Sequence, residues 1–347
     1  MTKESEAWWG KVASAKNYFD EAVDKLLSEK SIALHFGPYA SWPSEFRDMV
    51  QEKVHDTSGT RYFTTISANE IGQDIGRYLF EMYAKPDAKS RYSTKKGYAA
   101  FLSSEGNSSL GEMYLWITDI QNRALDEAYS KFIADYASYK AGPKAVFILE
   151  STYEGKKSGK KGIETLNWES SITSYDMVLY SMGLIADMKG IDDIMKQYAA
   201  ELASSLCGMS PELCSELSLK TKQLIENPEA LYKEVSQHSH SAVKSSSEIG
   251  HSIWKAQIKI FFPILEKQRL DLIQKYWKQI IQQLPIKTPF GELVTETGQV
   301  EIGALKSLKY IGKLQVTVDD AEYINRMWTA RNALAHLRVL EQIDFII

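Results

Sequence analysis

The 347-residue chain is 44% hydrophobic and 25% charged, ordinary values for soluble globular protein and a length suited to about two domains. That balance excludes wholesale disorder and a collagen-like fibre, and two cysteines, Cys207 and Cys214, can neither staple a chain this long nor form a C-x-x-C metal or redox motif. A net charge of −4 argues against a strongly basic nucleic-acid binder and leaves room only for a local basic patch.

The start, MTKESEAWWGK, has no apolar run behind a basic segment, so no signal peptide is expected. Residues 1–30 predict one amphipathic helix, with Trp8, Val12, Ala15, Tyr18, Phe19, Val23 and Leu26 at spacings of three and four. A short apolar run at 31–37 reads as a strand. The helix after it has Ser41 as its expected N-cap and Pro43 in its first turn. Further strands are expected at 61–68, 112–120 and 144–151, separated by helical patterns at 71–84 and 125–140. Strands alternating with helices predict an α/β layer around a largely parallel sheet. Glycine-lysine run 155–162 lies on the wrong side of a strand for a phosphate site and reads as a flexible basic loop.

From about 170 onward the patterns are helical. The serine-rich stretch 236–250 is the expected linker, and a helical stretch at 252–284 must kink or restart at Pro263. A last helix is expected from about Asp319 to Arg338. No apolar stretch approaches the roughly 20 residues of a membrane helix, and the thiols are expected to be reduced, in a cytoplasmic protein. The fold class is therefore α/β plus all-α, divided into an N-terminal helix (1–30), an α/β domain (31–168), a helical middle (169–240) and a C-terminal helical domain (241–347).

The strand–helix order of 31–168 resembles the core of a P-loop NTPase of the AAA or signalling-ATPase kind. In that comparison IALHFGPYASW takes the place of the phosphate loop, and YLWITD, ending at Asp119, that of the Walker B strand. The working loop needs glycines whose peptide N–H groups surround phosphate and a lysine that reaches the β/γ oxygens. Here Gly37 is followed by Pro38, Tyr39 and Trp42, with no lysine. The resemblance implies a degenerate domain that does not hydrolyse ATP, and hydroxyl partners for a metal at Asp119 are expected to be missing.

The last helix contains RMWTARNALAHLRVL, in which Arg331, Asn332 and His336 form R-N-x-x-x-H. This resembles the signature of HEPN domains, small helical domains of prokaryotic defence and toxin systems, many of them ribonucleases. The residue types suit metal-independent RNA cleavage by a neighbouring 2′-hydroxyl. Histidine transfers protons near neutrality, and arginine matches phosphate oxygens as a planar fork; Asn332 would orient the imidazole or the phosphate. On a helix Asn332 and His336 share a face while Arg331 and His336 lie roughly 140° apart, so one helix cannot present both groups to one phosphate. The resemblance implies pairing of two such domains. The competing reading is structural, with Arg331 on an apolar stripe paired to Glu266 or Glu301.

Charge leans weakly toward RNA at this end: residues 251–347 hold 13 Lys and Arg against 10 Asp and Glu, or +3, and the remainder carries −7. His238, His240 and His251 have no Cys or carboxylate at metal spacing, so no metal site and no cofactor are expected. The tryptophans and tyrosines read as core. The expected function is a metal-independent HEPN-type endoribonuclease that leaves 2′,3′-cyclic phosphate ends. It would act as a dimer in an antiviral-defence or toxin–antitoxin setting, restrained or triggered through the NTPase-like domain. The alternative is a non-catalytic adaptor docking a partner NTPase, nuclease or antitoxin.

Overall fold

A computed structural model describes residues 2–37, 41–59, 61–139, 144–155, 157, 159–237, 243–287, 291–341, 343 and 346. The chain forms two compact units. The N-terminal one contains Met1–Leu184 and Cys207–Glu216, and the C-terminal one Ile185–Leu206, Leu217–Gln237 and Val243–Ile347. The helical stretch expected as a separate middle is thus divided between them.

The first part of the chain comprises α1 (Lys3–Lys11), α2 (Ala13–Leu27), β1 (Ile32–His35), α3 (Pro43–Ser58), β2 (Tyr62–Ser67), α4 (Ala68–Ile71), α5 (Ile75–Tyr83), α6 (Pro86–Lys89), α7 (Gly97–Leu102), β3 (Met113–Ile120), α8 (Arg123–Ser138), β4 (Val146–Ser151), β5 (Glu164–Asn167), α9 (Trp168–Ser171) and α10 (Ser174–Ile185). The strands form one parallel sheet in the order β2-β3-β4-β1-β5. This is a parallel α/β architecture, with β1 between β4 and β5. Strands covered on both faces read as continuous apolar runs, which is why β1, β3 and β4 were legible. β5 (ETLN) escaped because a four-residue edge strand with one buried residue carries no such run.

Residues 1–30 form two helices rather than one. Val12 is extended between them and is itself buried. Neighbouring side chains on one helix point 100° apart, and Trp8 and Trp9 are both fully buried, against Trp168, Tyr180 and Phe46. The break lets α2 turn its own apolar face to the same core. Ser41 is not the cap of α3: the N-cap is Trp42, in a left-handed conformation with its ring buried and no side-chain cap bond, and Pro43 stands at N1.

The sheet separates two cores. On the α8 side, Ala33, Leu115, Ile117, Phe147 and Leu149 pack with Ile75, Leu79, Tyr129 and Ile133. On the other, Trp116 and Phe46 flank a buried carboxylate, Glu150. Arg47 Nη1 donates to both of its oxygens at 2.8 and 2.9 Å, and Trp116 Nε1 donates at 2.8 Å. Burial raises the Glu150 carboxyl above the ordinary carboxylate value, and Arg47 and Trp116 oppose that rise.

The remaining elements are α11 (Asp193–Cys207), α12 (Pro211–Leu219), α13 (Thr221–Glu226), α14 (Pro228–Ser236), α15 (Ser246–Lys275), α16 (Trp277–Ile281), β6 (Ile286–Lys287), β7 (Leu293–Val294), α17 (Ile302–Tyr310) and α18 (Val318–Ala335). The last five residues of the expected linker, 246–250, are the start of α15: Ser245 and Glu248 form a capping box, each side chain accepting from the other's backbone N–H. Residues 238–242 lie outside the described set. Pro263 neither ends nor restarts α15, which runs through it for 30 residues. Proline forfeits one helical hydrogen bond, and the fully buried Phe261 and Leu265 on either side hold the helix together. Both cysteines are buried, Cys207 Sγ facing the Gly208 carbonyl at 3.6 Å and Cys214 Sγ the Met177 carbonyl at 3.7 Å. No helix among the described residues is long and apolar enough to cross a membrane.

Two ion pairs are informative. In the N-terminal unit Asp126 and Lys157 pair with side chains 1% and 6% exposed. Asp126→Ala strands a buried ammonium and should destabilise the unit by about 3–5 kcal/mol, while Asp126→Ala/Lys157→Met should recover most of that loss; urea denaturation followed at the N-terminal unit measures both.

In the C-terminal unit, burial pushes the Asp320 carboxyl up. Hydrogen bonds from Lys275, Tyr276 and Thr317 outweigh that push and hold it below the usual value. A depressed carboxyl stabilises the fold fully above its unfolded pKa and loses that contribution as pH falls through the folded value. Asp320→Asn should therefore lower the melting temperature at pH 7, and the gap to wild type should close as pH falls through the depressed folded value, below the ordinary Asp pKa of about 3.9.

Candidate functional site

The R-N-x-x-x-H residues sit at the end of α18, and the way that helix stops decides their geometry. Ala335 is its last residue and His336 its C-cap, so the helix ends three residues earlier than the expected Arg338. Leu337 takes the left-handed conformation usually given to glycine (φ 58°). Arg338 N–H then reaches the Ala333 carbonyl at 2.9 Å, and Leu337 N–H reaches Leu334 at 3.4 Å, the bond pattern of a Schellman cap. A left-handed leucine costs about 1–2 kcal/mol. His336 still donates its N–H to the Asn332 carbonyl at 3.1 Å, and its side chain is exposed to solvent with no side-chain partner among the described residues.

Arg331 and Asn332 remain inside the helix. They line a cavity of about 820 Å³ formed by the β6–β7 hairpin, α17 and α18, and His336 is not among its lining residues. The structure thus brings two of the three motif residues to one cavity and leaves the histidine outside it. Arg331 Nη2 donates to Glu301 Oε2 at 3.0 Å. Glu266, the other expected partner, pairs with Arg269 instead. The Arg331–Glu301 pair is not buried: its side chains are 32% and 59% exposed, so it contributes about 0–1 kcal/mol. One atom departs from that picture, since Arg331 Nε is buried and makes no hydrogen bond among the described residues.

Sequence reasoning missed the cavity because its far wall comes from the two-residue strands β6 and β7. A tryptophan three residues before the motif arginine was the available signal. Trp328 lines the cavity with Val300, Ile302 and Leu308.

In the N-terminal unit, the crest of the sheet where a nucleotide would lie is covered by the chain's own β4–β5 connection. His35, at the end of β1, is 1% exposed. Its Nδ1 bonds Ser151 Oγ at 2.9 Å, its Nε2 bonds the Gly155 carbonyl, and its ring lies 4.5 Å from that of Tyr153. Tyr153 donates to Asp126 at 2.8 Å, and Lys157 donates to the other oxygen. Burial pushes the Tyr153 hydroxyl well up, reinforced by Asp126, and pushes the Lys157 ammonium down against the pull of Asp126.

The loop read as flexible and basic therefore buries Lys157, whose backbone also exchanges two hydrogen bonds with Asn167; Lys156 and Ser158 lie outside the described residues. Gly37 has φ 64° and stands so near Glu169 that a Cβ would come 3.0 Å from its Oε1. Pro38, Tyr39 and Ala40 are outside the described residues.

Asp119, the penultimate residue of β3, has φ 61° and lies at a register shift against β4. The hydroxyls expected to be missing there are present: Ser67 and Thr118 donate to its carboxylate at 2.6 and 3.0 Å. Among the described residues no three His, Cys, Asp or Glu side chains cluster as a metal would need. His238 and His240 fall outside that set, and His251 packs on Trp254.

No family model matches the chain, and no curated protein does. Among solved structures, three variants of RuvB from Thermotoga maritima are similar at 14% identity over 87% of this chain and 94% of theirs, with TM-scores of 0.32, 0.33 and 0.32.

The covered crest and the Glu169 carboxylate beside Gly37 disfavour a triphosphate. Titration calorimetry with ATP and magnesium should show no saturable binding at millimolar concentration, and no phosphate should be released. Tight binding lost in Asp119→Ala would overturn the degenerate reading.

Proposed function

We propose that the chain is a metal-independent endoribonuclease of HEPN type whose RNA-facing element is the end of α18. The observation that carries this reading is the distribution of the motif side chains. His336 offers an exposed imidazole with no side-chain partner among the described residues, suited to take the 2′-hydroxyl proton. Arg331 offers a guanidinium whose fork is only partly engaged, suited to the charge that builds on the phosphorane oxygens. Because His336 stands outside the cavity that Arg331 lines, the base and the cation of one reaction come from two chains. The active species is then a pair, and the Arg331–Glu301 contact is its resting arrangement. A defence or toxin–antitoxin setting, with the NTPase-like unit as sensor or restraint, follows from the family resemblance.

One observation favours a second reading. Arg331–Glu301 ties α17 to α18 without any catalytic purpose, as expected of an adaptor that docks a partner NTPase, nuclease or antitoxin.

Incubation of the purified chain with total RNA in EDTA separates the two. The ribonuclease reading expects cleavage that persists under chelation, leaves 2′,3′-cyclic phosphate ends and appears only in the dimeric fraction. His336→Ala should reduce it about 10²–10⁴-fold with the melting temperature unchanged. Arg331→Lys, which keeps the charge and loses the fork, should do the same. Cleavage abolished by EDTA, or unaffected in both variants, defeats the proposal. An inactive wild type whose partner binding fails in Arg331→Lys establishes the adaptor.

A further inference from the structure

The cavity beside Arg331 has the chemistry of a ligand site. Its volume, about 820 Å³, lies within the range of small-molecule pockets, which pair mostly apolar walls with a few convergent polar groups. Val294, Val300, Ile302 and Leu308 supply the apolar walls, and Trp328 adds a broad aromatic surface. The polar groups are Lys287, Arg331 and Asn332, the Ser307 hydroxyl, and two carboxylates, Glu292 and Glu301, the second of which is engaged by Arg331.

Three details narrow the ligand. Arg331 Nε is a buried donor without an acceptor, and its neighbour Nη2 is held by a single oxygen of an exposed glutamate. An anion that displaces Glu301 meets Nη2 first, and it engages both donors bidentately once the side chain turns to uncover Nε, which is buried here. The first turn of α17, Ile302 to Ala304, also lines the cavity. It has no side-chain cap, because Glu301, its N-cap residue, turns its carboxylate to Arg331. The positive end of that helix adds to the preference for an anion. Trp328 divides this cavity from a smaller one that holds Lys306, whose ammonium lies 3.2 Å from the indole centroid; Lys306 is not among the lining residues of the larger cavity. Asn332 can donate and accept at once, as the edge of a nucleobase requires.

We infer that this cavity binds a nucleoside monophosphate moiety, with the phosphate on Arg331 and the base on Trp328 within reach of Asn332. The inference rests on the reading of α18 as an RNA-facing helix and names what sits beside it: one unstacked nucleotide, free or within an RNA strand. Glu301 competes with the phosphate for Arg331, so binding exchanges one anion for another.

The test is titration calorimetry on the full chain with the four 5′-nucleoside monophosphates, the corresponding nucleosides, and a 2′-O-methyl single-stranded RNA octamer that cannot be cleaved. Saturable binding of a monophosphate is expected, weakened at least about tenfold in Trp328→Ala through lost stacking. Glu301→Gln should tighten binding by about threefold or more, since removing the competing charge leaves the fork to the ligand. Arg331→Lys should weaken the monophosphates and leave the nucleosides unchanged.

Binding of the octamer alone assigns the moiety to RNA; binding of monophosphates assigns it to free nucleotides as well. Should Trp328→Ala melt early, Glu301→Gln, on an exposed pair, still decides. The inference falls if neither probe binds at millimolar concentration, or if binding is indifferent to Glu301→Gln and Arg331→Lys. Binding without any cleavage keeps this site and defeats the ribonuclease, whereas cleavage without binding in the cavity defeats this site alone.

Discussion

A carboxylate withdrawn from water must find its counter-charge and its hydrogen bonds inside the protein. Asp126, 1% exposed in the first turn of α8, imposes that demand at the crest of the sheet. Lys157 and Tyr153 answer it from the connection after β4. Tyr153 in turn lies against His35, which bonds Ser151 and the Gly155 carbonyl. One charge thereby draws a polar connection down over the ends of β1 and β4. In open α/β sheets, ligands enter just outside the carboxyl ends of the strands, so the interaction that completes this core also fills the place where the fold would hold a ligand.

The C-terminal unit spends its charges differently. Arg331, Glu301 and His336 are half-exposed or exposed, and little stability depends on them. The demanding buried groups there are amides. Gln257, 2% exposed, bonds both the N–H and the carbonyl of Leu340, and Gln268 bonds the Ile346 carbonyl. At its C-terminal end α18 is thus framed by neutral groups, while the Lys275–Asp320 pair ties down its first turn.

The parallel sheet was legible because β1, β3 and β4 are covered on both faces and read as apolar runs, and the α15–α18 frame because its apolar positions recur at helical spacing. The failures each have a physical source. β5 has one buried residue in four. The break at Val12 follows from two adjacent tryptophans that both need the same core. Pro263 was read as kinking or restarting its helix, and α15 runs through it without a restart, with Phe261 and Leu265 buried on either side. The capping box at Ser245 and Glu248 was present in the letters but hidden in a serine-rich stretch. At the candidate site, the motif residues and the Glu301 partner could be named from spacing. The separation of His336 from Arg331 was legible too, from the roughly 140° between them on a helix, whereas its absence from the cavity that Asn332 lines was not, since those two were expected to share a face.

That helix end has a further consequence. Trp254 Nε1 bonds the Leu334 carbonyl at 2.7 Å, and Gln257 fixes Leu340, so the turn bearing His336 is pinned on both sides. Two residues separate His336 from the first anchor, and extended chain spans at most about 3.3–3.6 Å per residue. The backbone of His336 is therefore on a tether of roughly 7 Å, too short to swing to a distant phosphate. Whatever meets this imidazole has to be delivered to it, and specificity at this end of the molecule belongs to the shape of what can approach a fixed post.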